Sequence, residues 1–178
     1  SGARLLDVQQ HDFDRILRID TARSEGSASL IIELFAHGNV IVLDENSQIM
    51  AALRTLHMRD RDVARGETYV PPPAQLSPVD ADEGQLAEVL SSSKTDLVRT
   101  LATRVNMGGL YAEEVCMRAG IDKNSRASEL VQGDISHLHD TMKETFTPLL
   151  GGGLRPQVIF EDGKPVDAVA LDLLVYRD

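Results

Sequence analysis

The chain has 178 residues, 42% of them hydrophobic, and a formal net charge of −10 at pH 7. It can bury a real core as one large domain or two small ones, and no apolar run reaches the ~18 residues that a membrane span needs. A single cysteine excludes an internal disulfide, the absence of tryptophan argues against stacking on bases as the main binding mode, and the acidic total taken alone argues against nucleic acid.

Residues 1–56 alternate in the manner of strands. Ser1-Gly2-Ala3 runs straight into a strand pattern with no secretory leader expected, and Arg4 to Gln10 is the first strand. Arg15 to Asp20, Ser29 to Phe35, Asn39 to Leu43 and Gln48 to Leu56 follow. The turns His37-Gly38-Asn39 and Asp44-Glu45-Asn46-Ser47 consist of turn-formers, so an antiparallel meander is predicted. Arg54, Arg59, Arg61 and Arg65, interleaved with Asp60 and Asp62, read as a solvated mixed-charge loop. Pro71-Pro72-Pro73 is a stiff linker that closes a β-rich part over 1–73.

A helical domain is predicted over 74–153, beginning with a short helix around Glu83 to Leu90. Ser93-Lys94-Thr95-Asp96 resembles a capping box for a second helix. In that helix Leu97, Val98, Leu101, Ala102 and Val105 form an apolar stripe, and Thr100, Thr103 and Arg104 face away. Gly108 and Gly109 allow a tight turn into a third helix with Ala112, Val115, Cys116 and Ala119 inward. Glu114 and Arg118 sit four apart in the favourable order. Gly120-Ile121 reads as a Schellman stop. Residues 127–150 give one short and one longer helix, ended by Gly151-Gly152-Gly153. In 154–178, Pro156 to Phe160 and Ala168 to Tyr176 flank Asp162-Gly163, a hairpin signal. Strands, helices, then strands imply that this tail rejoins the first sheet. The fold class is therefore α+β, an antiparallel β-meander domain with an inserted helical domain.

Charge is distributed unevenly. From Arg99 to Arg126 there are five bases (Arg99, Arg104, Arg118, Lys123 and Arg126) against three acids. The other 150 residues carry 13 bases against 25 acids. The only basic island thus lies on a glycine turn that opens a helix, whose free N–H groups and dipole suit a phosphate. Asn106 to Ala112 resembles a degenerate helix-hairpin-helix, an RNA-backbone reader built from Arg99, Arg104, Gly108, Gly109 and Lys123. An ordinary helical hairpin is an equal reading of the same spacing. Overall there are 17 Asp and 11 Glu, but only 4 Lys beside 14 Arg. That balance points to a cytoplasm of very high salt, where an acidic surface says little about partners. The melting temperature is expected to fall on dilution, as the Debye length grows from ~3 Å at 1 M to ~10 Å at 0.1 M. A value flat from molar to dilute salt would remove the halophile reading.

No metal site, cofactor motif or membrane segment is expected. His137 and His139 are two apart on a helix, Cys116 has no partner cysteine, and no Walker loop, G-x-S-x-G or dinucleotide fingerprint occurs. Gln10 to Arg15 crowds ionisable residues at a strand junction, where the residues alone favour a turn with an exposed ion pair.

Five segments in this order, Asp14-Arg15 within QQHDFDRIL, GNVIVLDENSQI, RGETYVPPP, LATRVNMGGLYAEEVCMRAGID and DGKPVD, resemble the NFACT-N domain of ribosome quality-control factors. That domain is found in the eukaryotic NEMF type, archaeal relatives and bacterial proteins called fibronectin-binding-like. The resemblance implies a fold similar to formamidopyrimidine-type DNA glycosylases without their activity. It implies partners, tRNA and large-subunit ribosomal RNA, and no small-molecule substrate. It implies a role in template-free tailing of stalled peptides, with the Asp-Arg pair that recruits charged tRNA falling on Asp14 and Arg15. Family members also imply a further β-unit before this stretch, and a coiled coil and second domain after it. Two other readings compete. One is a DNA glycosylase or lyase, for which Ser1-Gly2 supplies no N-terminal nucleophile. The other is an extracellular adhesin.

Overall fold

Period-two alternation in the first half and 3.6-residue periodicity in the second produce two compact units, residues 1–74 and 75–178. The computed structural model describes residues 2–24, 26–35 and 38–177. His37 of the first predicted turn and Ser1 lie outside the described residues.

The first unit is an antiparallel meander of β1 (Arg4–Gln10), β2 (Ile16–Arg23), β3 (Gly26–Glu33), β4 (Asn39–Leu43) and β5 (Ile49–Ala52), in that spatial order. Alternation puts Ser29, Ile31 and Glu33 of β3 and Asn39, Ile41 and Leu43 of β4 on the buried face. Ile16, Ile31, Ile41, Leu43, Ile49 and Val63 form the core, with Phe35, Leu56 and Tyr69 packed on it. At the other edge β1 is exposed on both faces, including Leu5, Leu6 and Val8.

The predicted fifth strand is shorter than Gln48 to Leu56. The Asn39 amide grips the backbone of Arg54, donating to its carbonyl at 2.8 Å and accepting from its N–H at 3.0 Å. A side chain thus replaces the next rung of the ladder, and the chain turns away. Leu56–His57 then forms β6, which pairs with β7 (Asp62–Val63).

The predicted solvated loop holds for Arg54, Arg59 and Arg65, which are exposed, but not for Arg61, whose side chain is buried. Its fork meets Glu33 at 2.5 and 3.0 Å, and the two side chains are 6% and 2% exposed. Tyr69 donates to the same carboxylate at 3.0 Å, and Arg61 also donates to the Val70 carbonyl at 3.2 Å. Burial acts to lower the Arg61 pKa, but the Glu33 carboxylate outweighs it and the guanidinium is held above its ordinary value. Burial, reinforced by Glu33, pushes the Tyr69 phenol up.

The second unit contains α1 (Glu83–Ser91), α2 (Leu97–Arg104), α3 (Gly108–Ala119) and α4 (Gln132–Leu150), with a 3₁₀ turn at Ala127–Glu129. Leu86 and Leu90, Leu97 and Leu101, Val115 and Cys116, and Leu138 and Met142 are the buried stripes of the four helices. Burial pushes the Cys116 thiol up to about 12, which makes it a packing residue rather than a nucleophile. Gly120 has φ 64°, and Ile121 N–H reaches back to the Cys116 carbonyl at 3.0 Å, which is the Schellman stop.

Two details at α2 differ from the sequence expectation. Asp96, not Ser93, is the cap, accepting from Arg99 N–H at 2.9 Å. Thr100 is fully buried, because its hydroxyl has internal partners in Ser93 Oγ at 2.6 Å and the Asp96 carbonyl at 2.7 Å.

The tail makes a sheet of its own. β8 (Gln157–Glu161) and β9 (Lys164–Val169) pair with each other and do not extend the five-stranded sheet. Asp162 (φ 49°) and Gly163 (φ 75°) supply the two left-handed residues of a tight hairpin turn. The predicted strand to Tyr176 stops at Val169. Beyond it Val169, Leu171 and Leu173 bury themselves against Leu110, Tyr111 and Leu149, and Leu174–Tyr176 is a 3₁₀ turn. Glu114, with no exposed surface, ties that turn to α3. It accepts from Leu174 N–H at 3.0 Å, Val175 N–H at 3.1 Å and Arg118 Nε at 2.5 Å.

Candidate nucleic-acid interface

The predicted residues fall in both units. Asp14 and Arg15 occupy the loop between β1 and β2, so the rule that adjacent strand residues face opposite ways does not apply to them. The loop is closely bonded. His11 N–H donates to the Ile16 carbonyl at 2.9 Å, Asp14 N–H to the His11 carbonyl at 3.0 Å and Leu34 N–H to the Arg15 carbonyl at 2.7 Å. Asp12 takes the left-handed conformation (φ 47°) that lets the chain reverse. Gln10 Nε2 donates to the Asp14 carbonyl at 2.8 Å. Asp14 turns its carboxylate onto Arg15 N–H at 2.7 Å, which stiffens the junction.

Arg15 is exposed, and its guanidinium carbon lies 5.6 Å from the centre of the Phe35 ring. A contact with a ring face orients the cation without consuming an N–H donor. The exposed fork therefore keeps its capacity to take two oxygens of a phosphate or a base edge.

In the second unit, α2 and α3 meet at a turn where Asn106 (φ 49°) and Gly108 (φ 70°) are left-handed. Val105 and Met107 plug the core beneath it. Gly108 is required by its backbone angle. Gly109 is not: a Cβ there meets nothing within 4 Å, although glycine inside a helix costs ~1 kcal/mol relative to alanine. The opening turn of α3 has no side-chain cap, so its N–H groups remain suited to an anion.

The basic island is less positive in space than in sequence. Arg99 lies 3.5 Å from Asp96, Lys123 2.8 Å from Glu113, Arg118 2.5 Å from Glu114 and Arg126 3.8 Å from Glu129. Arg104 donates to the Val89 carbonyl at 2.8 Å. Asp96 and Glu129 flank the counted stretch, so a window of consecutive residues misses them. Lys123 and Arg104 are not neighbours. The Lys123 carbonyl accepts from Val98 N–H at 3.0 Å, at the start of α2, about 9 Å of helix rise from Arg104.

Among the described residues no group of three or more His, Cys, Asp or Glu is placed to hold a metal, and no helix is long and apolar enough to cross a membrane.

The family model for NFACT N-terminal and middle domains matches residues 1–177. The archaeal Rqc2 homolog aRqcH of Methanocaldococcus jannaschii is 32% identical over 182 residues, covering 99% of this chain and 27% of that protein. Ribosome quality control complex subunit 2 of Saccharomyces cerevisiae is 42% identical over 66 residues, covering 37% of this chain and 6% of that protein. The chain thus spans about a quarter or less of these relatives. Among solved structures, the fibrinogen binding protein from Staphylococcus aureus superimposes with a TM-score of 0.72 at 19% identity, over 99% of this chain and 65% of that one. The MutM (Fpg) protein from Thermus thermophilus gives 0.57 at 18% identity, over 91% and 65%. At those identities the two structures establish a shared fold.

Proposed function

The chain belongs to the NFACT family of ribosome quality-control factors, and we propose on that footing that it is an RNA-binding module that holds tRNA beside large-subunit ribosomal RNA. In this reading it works by binding and not by catalysis. The Asp14–Arg15 loop engages charged tRNA for template-free tailing of a stalled peptide, and the Gly108-Gly109 turn with Arg99, Arg104 and Lys123 follows RNA backbone.

The observation that carries the reading is Arg15, an exposed fork seated on Phe35 in a loop whose backbone is fixed by five hydrogen bonds. Such rigidity reduces the entropy lost when the fork binds. Gly109 adds support, since an open glycine in a helix leaves room for another backbone to approach.

The test is a titration of total tRNA and duplex DNA at several salt concentrations. Arg15→Ala and Asp14→Ala are expected to weaken tRNA binding about tenfold or more. The melting temperature should change little, because exposed contacts contribute ~1 kcal/mol or less. Unchanged affinity sinks the assignment, and lost affinity with a much lower melting temperature makes the pair structural. Arg104→Glu combined with Lys123→Glu should reduce the slope of log affinity against log salt by about two units. An unchanged slope would make the island a solvated face.

A further inference from the structure

A hollow of about 510 Å³ in the second unit is lined by three arginines from separate places in the chain, Arg118, Arg155 and Arg177, with Glu144, Thr145 and Asp172. We propose that this hollow is a phosphate-binding site, with Arg155 as its principal ligand.

The three guanidiniums are in different states. Arg118 is locked, its Nε on buried Glu114 at 2.5 Å and its Nη2 on the Asp172 carbonyl at 2.7 Å. Arg177 is clamped to the Asp172 carboxylate through both Nε and Nη2, and Arg177 holds that carboxyl below its usual range. Arg155 has its backbone anchored, N–H to the Ala170 carbonyl at 2.9 Å. Its guanidinium is exposed and has no hydrogen bond or ion pair among the described residues. Each guanidinium carries five donors, and only two are spent at Arg118 and two at Arg177. The hollow therefore presents many unspent N–H donors on two pre-positioned forks and one uncommitted fork.

The arginines are matched in number by carboxylates: Glu114 is committed to Arg118, Asp172 to Arg177, and Glu144 also lines the hollow. The hollow is therefore neutral in formal charge, and what it offers an anion is its unspent N–H donors. Gly153 closes the wall against Pro148, to whose carbonyl its N–H donates at 2.8 Å, and a Cβ there would come within 2.8 Å of the same oxygen. Guanidinium forks that line one hollow with N–H donors to spare suit the several oxygens of a phosphate group. The site stands independently of the Asp14–Arg15 reading. RNA binding bears only on whether the phosphate comes from a nucleic-acid backbone or is a free ion.

The experiment titrates the 178-residue chain with inorganic phosphate, following arginine Nε–H signals by NMR, and separately with a short single-stranded RNA lacking terminal phosphates. Saturable shifts at Arg155 and Arg118 are expected with phosphate. Arg155→Glu should weaken phosphate binding about tenfold or more by charge reversal, and Glu144→Gln should strengthen it by removing a like charge. Both positions are exposed, so the melting temperature should hold. A drop of about one unit in the RNA salt slope on Arg155→Glu identifies a backbone phosphate. An effect on inorganic phosphate alone identifies a free ion. Shifts that do not saturate, or phosphate affinity indifferent to both substitutions, overturn the site whatever the Asp14 and Arg15 variants do to tRNA.

Discussion

Glu114→Ala is expected to destabilise the helical unit by about 3–5 kcal/mol, the cost of breaking a buried ion pair from one side. The carboxylate is fully buried and serves three donors: the Arg118 fork and the N–H groups of Leu174 and Val175. Truncation leaves the Arg118 guanidinium, which is one-third exposed, and two amides without their acceptor at a position with no accessible surface. For a unit of this size the melting temperature should drop by roughly 15 °C or more. Exchange of the Leu174 and Val175 amides should accelerate in step. Glu114→Gln keeps one acceptor oxygen and should cost about half as much or less. If Glu114→Ala melts like the parent, the tie does not hold the tail.

A loss of similar size is expected in the β-unit from Glu33→Ala, which strands buried Arg61 and removes the acceptor of Tyr69. Denaturant unfolding should shift by about 3–5 kcal/mol, whereas Tyr69→Phe, which deletes one hydrogen bond, should cost about 1 kcal/mol. Tyr69 also adds a base limb. Its phenol pKa is raised in the fold, so above the unfolded value of about 10 the unfolded chain loses the proton first. The stabilisation is complete below that pH and is lost as pH rises toward the folded value. Tyr69→Phe should flatten that part of the stability profile. A base limb that survives the substitution belongs to another group.

Much of this architecture is legible in the residues, because it is written at short range. The meander follows from alternation and turn-formers, and the stop at Gly120-Ile121 follows from one glycine and the apolar residue after it. The rest depends on partners that sequence spacing does not connect. Arg61 reads as solvated among alternating charges because its partner, Glu33, lies 28 positions away. The role of Glu114 is hidden for another reason: two of its three donors are backbone amides, and amides carry no residue identity. The tail reads as part of the first sheet because its apolar residues fit any buried face, and Leu110, Tyr111 and Leu149 offer a different one. For the candidate site, Asp14 and Arg15 stand out through family resemblance alone. The contact of Arg15 with Phe35 joins residues far apart in the chain and leaves no local pattern.

The exposure of β1 sets a gradient of local stability across the sheet. Ile41 and Leu43 of β4 have no accessible surface, whereas every residue of β1 is exposed. Amides of β4 should therefore exchange only through global unfolding, and those of β1 through low-energy fraying. The Asp14–Arg15 loop hangs from the soft end of that gradient, with the Gln10 side chain of β1 gripping the Asp14 carbonyl. Four of the loop's five hydrogen bonds do not involve β1, so its rigidity should survive fraying there apart from the Gln10 contact. A partner that covered β1 should therefore slow exchange of its amides and opening of the Gln10 side-chain contact while leaving the β4 amides unchanged.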